Sequence, residues 1–593
     1  MQNVSKEWKD NQSNRLVGES SIEVSLKLTD PDAYEDASAV DNGHAHYSDT
    51  DHIVSDGVKN IRPYATLERN QWLLNGSREV IPENNYGETG FVDNEICSSN
   101  KTFTANPIVS INFSKVHTNL IRGVTITWSS YLNEYAESFK VTAYNGTSVV
   151  ASKSVTDNTS VISVVTMDIV DYNKITVEIF KWSMPFRRAR IDAILIGGNF
   201  IFSKGDIFSY SASYNIDPIS AELPKSEITF SLNNVNNTFN PYEDGGLSKY
   251  LIERQEVSVR YGFKLGDEIE WIDGGKFYLS EWDAKQGGIS ADFSARDLLE
   301  FLTGTYIKGL YNPNGTSLYA LAEDVLLDAD LPVNSDGSVK WVIDDKLKSI
   351  YTIAPLPLDT HANCLQMIAN AGGCVMYQDR TGTLYIKSLS TSASDYTVND
   401  FNSYSKSDLS LSKPLKQVDV PYYSYSVATA STELFKGVVT TYGASDVLIT
   451  YSGMATNVTA SVTNGTLNSA KYYSNACVLN ITGSGSVTIT VNGYSLESSS
   501  VMISTLNSEK GETISLDNPL ITSHERAITI GSWVKEYMKN RMILSSEWRA
   551  DPRLDALDVV NNENEYGVNQ VLMTTVSYSY NGAFRGSGEG RVI

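Results

Sequence analysis

The sequence predicts a mainly β, multidomain protein, and three observations carry that prediction. Short segments with apolar residues at every second position recur from 108 to 580, separated by turns rich in Asn, Asp and Gly. Such alternation is the mark of a half-buried strand. Helical spacing is confined to a few stretches, the longest at 318–327, 359–371 and 524–541. The chain has 593 residues, too many for one core, so about four domains are expected.

Composition narrows the function classes. Charged residues are 20% and apolar residues 41%, a globular balance, and the 34 tyrosines suit β structure. The net charge is −23, from 70 acidic and 47 basic residues. A sequence-specific nucleic-acid binder needs a basic face, so that class is disfavoured. An acidic surface suits a passage through which DNA slides without sticking. Cys97, Cys364, Cys374 and Cys477 lie far apart with no CxxC pair, so neither a disulfide framework nor a zinc site is expected. The start is polar, so no signal peptide is expected. No apolar run approaches the ~18 residues of a membrane span.

In chain order, residues 1–60 read as a leader or arm. Within it, His44, His46 and His52 lie near Asp41, Asp49 and Asp51. Imidazole and carboxylate suit several divalent ions, but the spacing fits no ligand pattern; a solvated loop is expected, and metal binding stays open. Residues 61–200 read as a β-sandwich. Seven strand-like runs (108–113, 123–129, 138–144, 149–154, 161–169, 174–182 and 190–196) are broken by turns such as Asn145-Gly146.

Residues 201–305 form the next unit. Strands are expected at 227–232, 257–263, 276–282 and 289–293, with Asn-rich 233–241 and Asp273-Gly274-Gly275 as turns. Ser294 is expected to cap a short helix over 296–302. Residues 306–400 read as an α+β unit. Thr316 or Ser317 caps a helix over 318–327, and Asp359 or Thr360 caps a second that stops at Gly372-Gly373. A hairpin turning at 379–382 follows. Residues 401–443 and 511–593 are assigned to a second barrel, with a helix over 524–541 capped by Ser523. Residues 444–510, rich in Ser, Thr, Asn and Gly yet still alternating, are read as an inserted small β domain.

A resemblance rests on a set of short words. Asp217-Pro218-Ile219-Ser220-Ala221-Glu222-Leu223-Pro224, Asn240-Pro241-Tyr242, Tyr250-Leu251, Gln255, Gly275-Lys276-Phe277-Tyr278-Leu279 and Ala295-Arg296-Asp297-Leu298-Leu299 resemble the first barrel of phage tail hub proteins, the baseplate or tail-tip family related to the trimeric hub of contractile tails. Asp551-Pro552-Arg553-Leu554-Asp555 and Tyr580-Asn581-Gly582-Ala583-Phe584 resemble that family's closing barrel, and the helix-bearing unit between them resembles its middle domain. The likeness covers most of 200–593.

It implies a homotrimer in which two barrels per chain make a pseudo-sixfold ring between tail tube and tip. The implied partners are a distal tube protein, a tip or spike and a tape measure. The implied location is the virion tail tip or baseplate, after synthesis in the host cytoplasm. It also implies a central channel, whose wall from 217–302 and 542–580 should be acidic or uncharged on balance. Arg260 is the awkward residue there, expected to pair with a carboxylate or face outward.

Val124-Thr125-Ile126-Thr127-Trp128 and Arg190-Ile191-Asp192-Ala193-Ile194-Leu195-Ile196-Gly197 are similar to the galactose-binding, jelly-roll type of carbohydrate-binding module. That implies host cell-wall glycan as a further partner, with Trp128, Tyr131, Tyr135 and Trp182 as candidate sugar contacts. Each serves a core or subunit contact equally well, since aromatics bury large areas.

The sequence contains no GxSxG, HExxH, Walker loop or helix-opening GxGxxG. His361 and Cys364 share one helix at core-like spacing, not the start of a helix in a cleft where a nucleophile sits. Glu222, Glu281 and Asp297 are read as structural polar contacts. No catalytic, cofactor-binding or metal residue is therefore assigned. The reading is a non-enzymatic structural hub; a host-glycan adhesin and a wall-degrading enzyme are the alternatives.

Overall fold

The computed structural model describes all residues except 15–16, 30, 55–56, 59–63, 82–86, 119–120, 243–246, 249–250, 252, 286, 330, 333–337, 390–392 and 550. Tyr250, one of the family-like residues, and parts of 1–60 therefore lie outside the described residues. The chain is mainly β: two barrels, a sandwich, a small helix-bearing unit and a second small β unit.

Residues 1–60 do not form a separate leader. Helix Lys6–Ser13, capped by Ser5, buries Trp8 completely against Phe263, edge to face at 4.9 Å. Strand Ser20–Thr29 alternates, so Ile22, Val24 and Leu26 enter the first barrel's core. It pairs with Glu256–Leu265 on one side and Ala193–Phe202 on the other. Beyond it, Ala33, Ile53 and Val54 belong to the sandwich core, and Ser38–Asp41 pairs with Ile108–His117. The apolar positions at 22, 24 and 26 find a sheet to complete, which local pattern alone does not reveal.

The sandwich stacks the sheet containing Ser38–Asp41, Ile108–His117, Tyr172–Trp182, Ala136–Asn145 and Ser148–Val155 against Ala193–Phe202, Ile121–Thr127 and Ile162–Ile169. It sits at the tip of a hairpin. Ser20–Thr29 and Ala193–Phe202 are antiparallel, and their register ends at Thr29↔Gly197. Beyond that pair, Ala193–Phe202 continues into the sandwich and pairs with Ile121–Thr127 from Ala193 to Ile196. One strand thus belongs to both units, and a boundary at 200 cuts through it.

The first barrel runs Ile207–Asn215, Lys225–Asn233, Ser290–Arg296, Glu268–Ala284, Glu256–Leu265, Ser20–Thr29. Asp273-Gly274-Gly275 is not a turn. Strand Glu268–Ala284 passes straight through it, with a register shift opposite Val259/Arg260. The chain instead reverses at Gly266, where φ is +66°. A Cβ on Gly274 would meet Val259 and Tyr261 at 2.8 and 2.9 Å, so the glycine serves close packing within a strand. The helix expected over 296–302 is a single 3₁₀ turn, Leu298–Phe301, capped by Asp297 and not by Ser294.

Helices Leu318–Asp328 and His361–Gly372 are capped by Ser317 and Thr360, and Gly373 ends the second with φ +58°. Their core includes Leu365, Ile368 and Val325, and also Ala527, Ile530 and Val534 of helix His524–Tyr537. That helix packs in the helix-bearing unit rather than in the second barrel. Conversely Ala393–Val398, read as part of the α+β unit, pairs with Val559–Asn564 in the second barrel. The rest of that barrel is Asp408–Leu411, Met542–Arg549, Phe584–Val592 and Gly567–Tyr580.

Two long strands, Leu415–Thr450 and Ala476–Leu506, pair from Gln417↔Leu506 to Thr450↔Ala476, with a shift between Val427 and Ser431. Near their base, Val418 and Val420 join the helix-bearing core. Past the shift they form a separate unit with strands Ala455–Thr463 and Thr466–Tyr472, which pair one after the other with Ala476–Leu506, around Ile449, Leu479, Ile489 and Val491. This second insertion departs near Val427↔Leu496, earlier than the 444 read from composition.

Candidate functional site at the seam of the two barrels

Strand Ile207–Asn215 alternates Tyr210, Ala212 and Tyr214 inward with serines outward. On one edge it pairs with Lys225–Asn233 of the first barrel. On the other it pairs with Gly567–Tyr580 of the second, from Tyr210↔Tyr580 to Asn215↔Thr575. The two barrels therefore share one continuous sheet, and main-chain hydrogen bonds set their relation.

Behind the seam lies a buried polar cluster. Tyr210 and Tyr261 share a hydrogen bond of 2.7 Å, Tyr214 donates to the Gly274 carbonyl at 2.5 Å, and Tyr578 donates to the Leu554 carbonyl at 2.8 Å. Burial raises all four phenols well above their ordinary range, so they stay protonated donors. Among them stands Arg380, with its guanidinium 5.3 Å from the Tyr214 ring and 5.7 Å from those of Tyr261 and Tyr578. Its Nε donates to Asp555 at 2.9 Å, Nη1 to the Asp273 and Pro552 carbonyls at 3.1 and 2.5 Å, and Nη2 to the Leu554 carbonyl.

Arg380 rides on the turn between Val375–Gln378 and Leu384–Lys387. Asp379 accepts the amides of Thr381 and Thr383 there, and Gly382 takes φ +86°. One guanidinium from the helix-bearing unit is thus held by the first barrel (Tyr214, Tyr261, Asp273) and the second (Pro552, Leu554, Asp555, Tyr578). The N-terminus adds to the same region. The Met1 ammonium meets Asp558 at 2.5 Å, and Trp8 Nε1 donates to Asp551 at 3.4 Å. Asp551 is in turn held by Arg553 Nε and Nη2.

Several of the family-like words meet at junctions between units. Ser220 donates to the Cys374 carbonyl and accepts the Met376 amide; Asn370 donates to the Ile219 carbonyl; Gln378 accepts the Leu298 amide and donates to the Lys276 carbonyl. Arg380 was not singled out from the sequence. Its only signal was an arginine inside a tight Asp-Arg-Thr-Gly turn.

The outward face across the seam carries hydroxyls, carboxylates and three exposed cations, Lys225, Arg296 opposite Glu227 and Arg585 opposite Ser579. Ser209, Ser211, Thr229, Glu227, Glu281, Asp283, Asp292 and Ser579 are exposed. Asp283 and Asp292 are direct cross-strand partners, and a groove of about 380 Å³ runs beside them. Arg260, the awkward cation, pairs with Glu23 and stacks over Trp271 at 5.1 Å.

The sugar candidates divide. Trp128 and Trp182 are fully buried and meet edge to face at 6.1 Å. Their Nε1 atoms donate to Ser163 and Glu134 at 2.8 and 2.9 Å, so both are core. Tyr135 is partly buried against the sandwich core. Tyr131 is 37% exposed, has Arg78 over its ring, and lines a pocket of about 60 Å³ with Tyr64, Gln71, Glu88, Arg190 and Asp192. Arg190 is tied to buried Glu68 there, and burial pushes the Asp192 carboxyl up to about 6. Trp72, 54% exposed on a nearby segment, is an aromatic that the sequence reading passed over.

His44 meets Asp41 at 2.7 Å, while Asp49 accepts the amides of Asp51 and Gly87. Among the described residues no three His, Cys, Asp or Glu side chains are grouped to hold a metal ion. His361 is bonded to the Gly304 carbonyl and to Asp328, and burial pushes the Cys364 thiol up to about 12. That thiol is a core hydrophobe, as are Cys374 and Cys477. Glu222 and Glu281 are exposed; Asp297 is buried as the cap of its 3₁₀ turn.

No family model matches the chain, and no curated protein matches it. Among solved structures, it is similar to the 43 kDa tail protein of prophage MuSo2 from Shewanella oneidensis, at 11% identity over 66% of this chain and 96% of that one, with a TM-score of 0.38. It is similar to a tail protein from Neisseria meningitidis MC58, at 8% identity over 66% and 94%, TM-score 0.39. It is also similar to prophage tail protein gp18 from Listeria monocytogenes EGD-e, at 11% identity over 66% and 91%, TM-score 0.34.

Proposed function

We propose that this chain is a non-enzymatic structural hub of a phage, or phage-derived, tail tip or baseplate. It assembles as a homotrimer whose paired barrels form a ring between tail tube and tip. The observation that carries the reading is the seam strand Ile207–Asn215, which hydrogen-bonds both barrels into one sheet. Two barrels held rigidly side by side are what a threefold assembly needs to present a sixfold surface. Arg380 and its tyrosine cage supply the stiffness. Distal tube protein, tip or spike and tape measure are the partners of that ring, and the hydroxyl and carboxylate face across the seam is the surface turned to the channel.

A particle reconstruction tests this: the chain at the tail tip in three copies is the expected result. A monomeric or sixfold arrangement overturns it. A glycan contact is supported by exposed Trp72 and by Tyr131 beside its polar pocket, an aromatic surface flanked by hydrogen-bonding groups. Sugar-dependent attachment of purified chain to cells, lost in Trp72→Ala, tests that part, and attachment indifferent to both sugar and Trp72 removes it.

A further inference from the structure

We infer that the second inserted unit is a self-pairing module: strand Leu415–Thr450 of one copy hydrogen-bonds through its outer edge to the outer edge of Thr466–Tyr472 in the next copy, head to tail around the ring. The inference rests on the threefold reading above.

The sheet order in this unit places Ala476–Leu506 in the middle. Leu415–Thr450 lies on one side, and Ala455–Thr463 with Thr466–Tyr472 on the other. Strand Glu512–Ser515 covers the outer edge of Leu415–Thr450 only from Leu415 to Asp419. Between 431 and 450 the inner edge is taken by Ala476–Leu506, and no backbone bond from another described segment reaches the outer one. The outer edge of Thr466–Tyr472 is likewise without a backbone partner among the described residues. One small sheet therefore presents two unpaired edges on opposite sides. That is the geometry of a heterologous contact, which closes into a ring when the rotation fits.

A long open edge is a hazard that folded proteins usually blunt with lysines, prolines or inward charges. This one is only lightly blunted. From 428 to 450 the charged residues are Glu433, Lys436 and Asp446, and there is no proline; past a second register shift at Glu433/Phe435 the pairing with Ala476–Leu506 runs unbroken from Phe435 to Thr450. Along the same strand Val438, Tyr442 and Leu448 are 64%, 83% and 53% exposed. In a chain of net charge −23, a nearly neutral strip is where two copies approach with least repulsion. Such an edge is tolerated when its partner is present from synthesis onward in equal number, and a second copy of the same chain meets that condition.

The test is amide hydrogen exchange on the full chain, across concentrations spanning assembly followed by light scattering, and in assembled tails. The expected result is that outward amides of 431–450 and of 466–472 slow together by about tenfold or more as trimers form. A second variant removes 428–495 and joins Val427 to Leu496, which are cross-strand partners, through Asn-Gly. Its trimers should dissociate at about tenfold higher concentration or more than those of the full chain. Trimers whose edge amides exchange as fast as in the monomer overturn the pairing and leave the hub reading standing. Protection of 431–450 without 466–472 overturns the head-to-tail arrangement. Protection seen only in tails, with a different protein cross-linked to the edge, overturns self-pairing. A chain that is monomeric both in solution and in the tail overturns the hub reading as well.

Discussion

Arg380 ties three units together at once. Replacing it with Ala takes a donor from the Asp555 carboxylate and from the Asp273, Pro552 and Leu554 carbonyls, while Gln2 and Tyr578 still donate to Asp273 and Leu554. Arg380→Ala is expected to cost roughly 3–5 kcal/mol, read by chemical denaturation. Lys lacks the planar fork, so Arg380→Lys should recover only part of the loss. Full recovery with Lys would mean that charge alone matters there. Asp297 makes a second prediction. It is fully buried, accepts the Leu299 amide, and burial pushes its carboxyl up to about 7 from 3.8. The folded state therefore holds this proton more tightly than the unfolded chain. Its contribution favours folding below pH 4, weakens as pH rises from there to 7, and leaves a constant penalty above. Asp297→Asn keeps the accepting oxygen and removes the titration. It should flatten the stability profile between pH 4 and 7 and stabilise the chain at pH 8, on the order of 2–4 kcal/mol. An unchanged slope would refute this. The sequence reads Asp297 as a structural polar contact, and the cap is one; its burial was not legible, since that depends on which loops cover it.

At the scale of elements, both insertions leave from hairpins, and each hairpin sets where a cut is tolerated. Thr29 and Gly197 are cross-strand partners, so joining them through a two-residue turn should delete the sandwich and leave the barrels folded. Deleting 61–200 instead removes Ala193 to Phe200 from strand Ala193–Phe202, including the partners of Leu26 to Thr29, and leaves the 30–58 segment without its core. That protein should be insoluble or lose the packing of Ser20–Thr29. Circular dichroism and solubility of the two deletions decide between them, and equal behaviour would show that the shared strand is dispensable. Helix Lys6–Ser13 is short and amphipathic around one residue. Trp8→Ala opens a cavity beneath Phe263 in the barrel core and is expected to cost about 3–5 kcal/mol. A near-neutral result would mean the helix is an appendage, as its polar sequence suggests. The strands of the sandwich and the three longer helices were legible from periodicity and caps. The 273–275 turn was misread because a double glycine marks a bulge as readily as a reversal, and only the partner strand's Val259 and Tyr261 distinguish the two.

Across the whole molecule the acidic balance has a place. Glu227, Glu281, Asp283 and Asp292 share one outward face over the barrel seam with serines and threonines and with the exposed cations Lys225, Arg296 and Arg585. Asp283 and Asp292 stand directly opposite each other, an arrangement that costs stability between strands and is consistent with a surface kept negative for use. Reversing both, Asp283→Lys with Asp292→Lys, should create DNA binding at low salt that falls steeply as salt rises. The unaltered chain should bind none. Filter binding at two salt concentrations checks this, and retention of DNA by the unaltered chain would contradict the channel-facing assignment.

What the sequence determined by itself was local: strand and helix periods, most caps, the Asn-rich turns, the mainly β class, and several words that lie at unit junctions. These follow from backbone preference and side-chain alternation over a few residues. What only the tertiary structure decided was ownership. The opening residues complete a barrel, helix His524–Tyr537 joins the helix-bearing core, Ala193–Phe202 serves two units, and Ile207–Asn215 welds two barrels. Trp128 and Trp182 became core and Arg380 became a junction for the same reason. Pairing and burial depend on partners hundreds of residues away, and a pattern with a period of two or 3.6 residues carries no record of them.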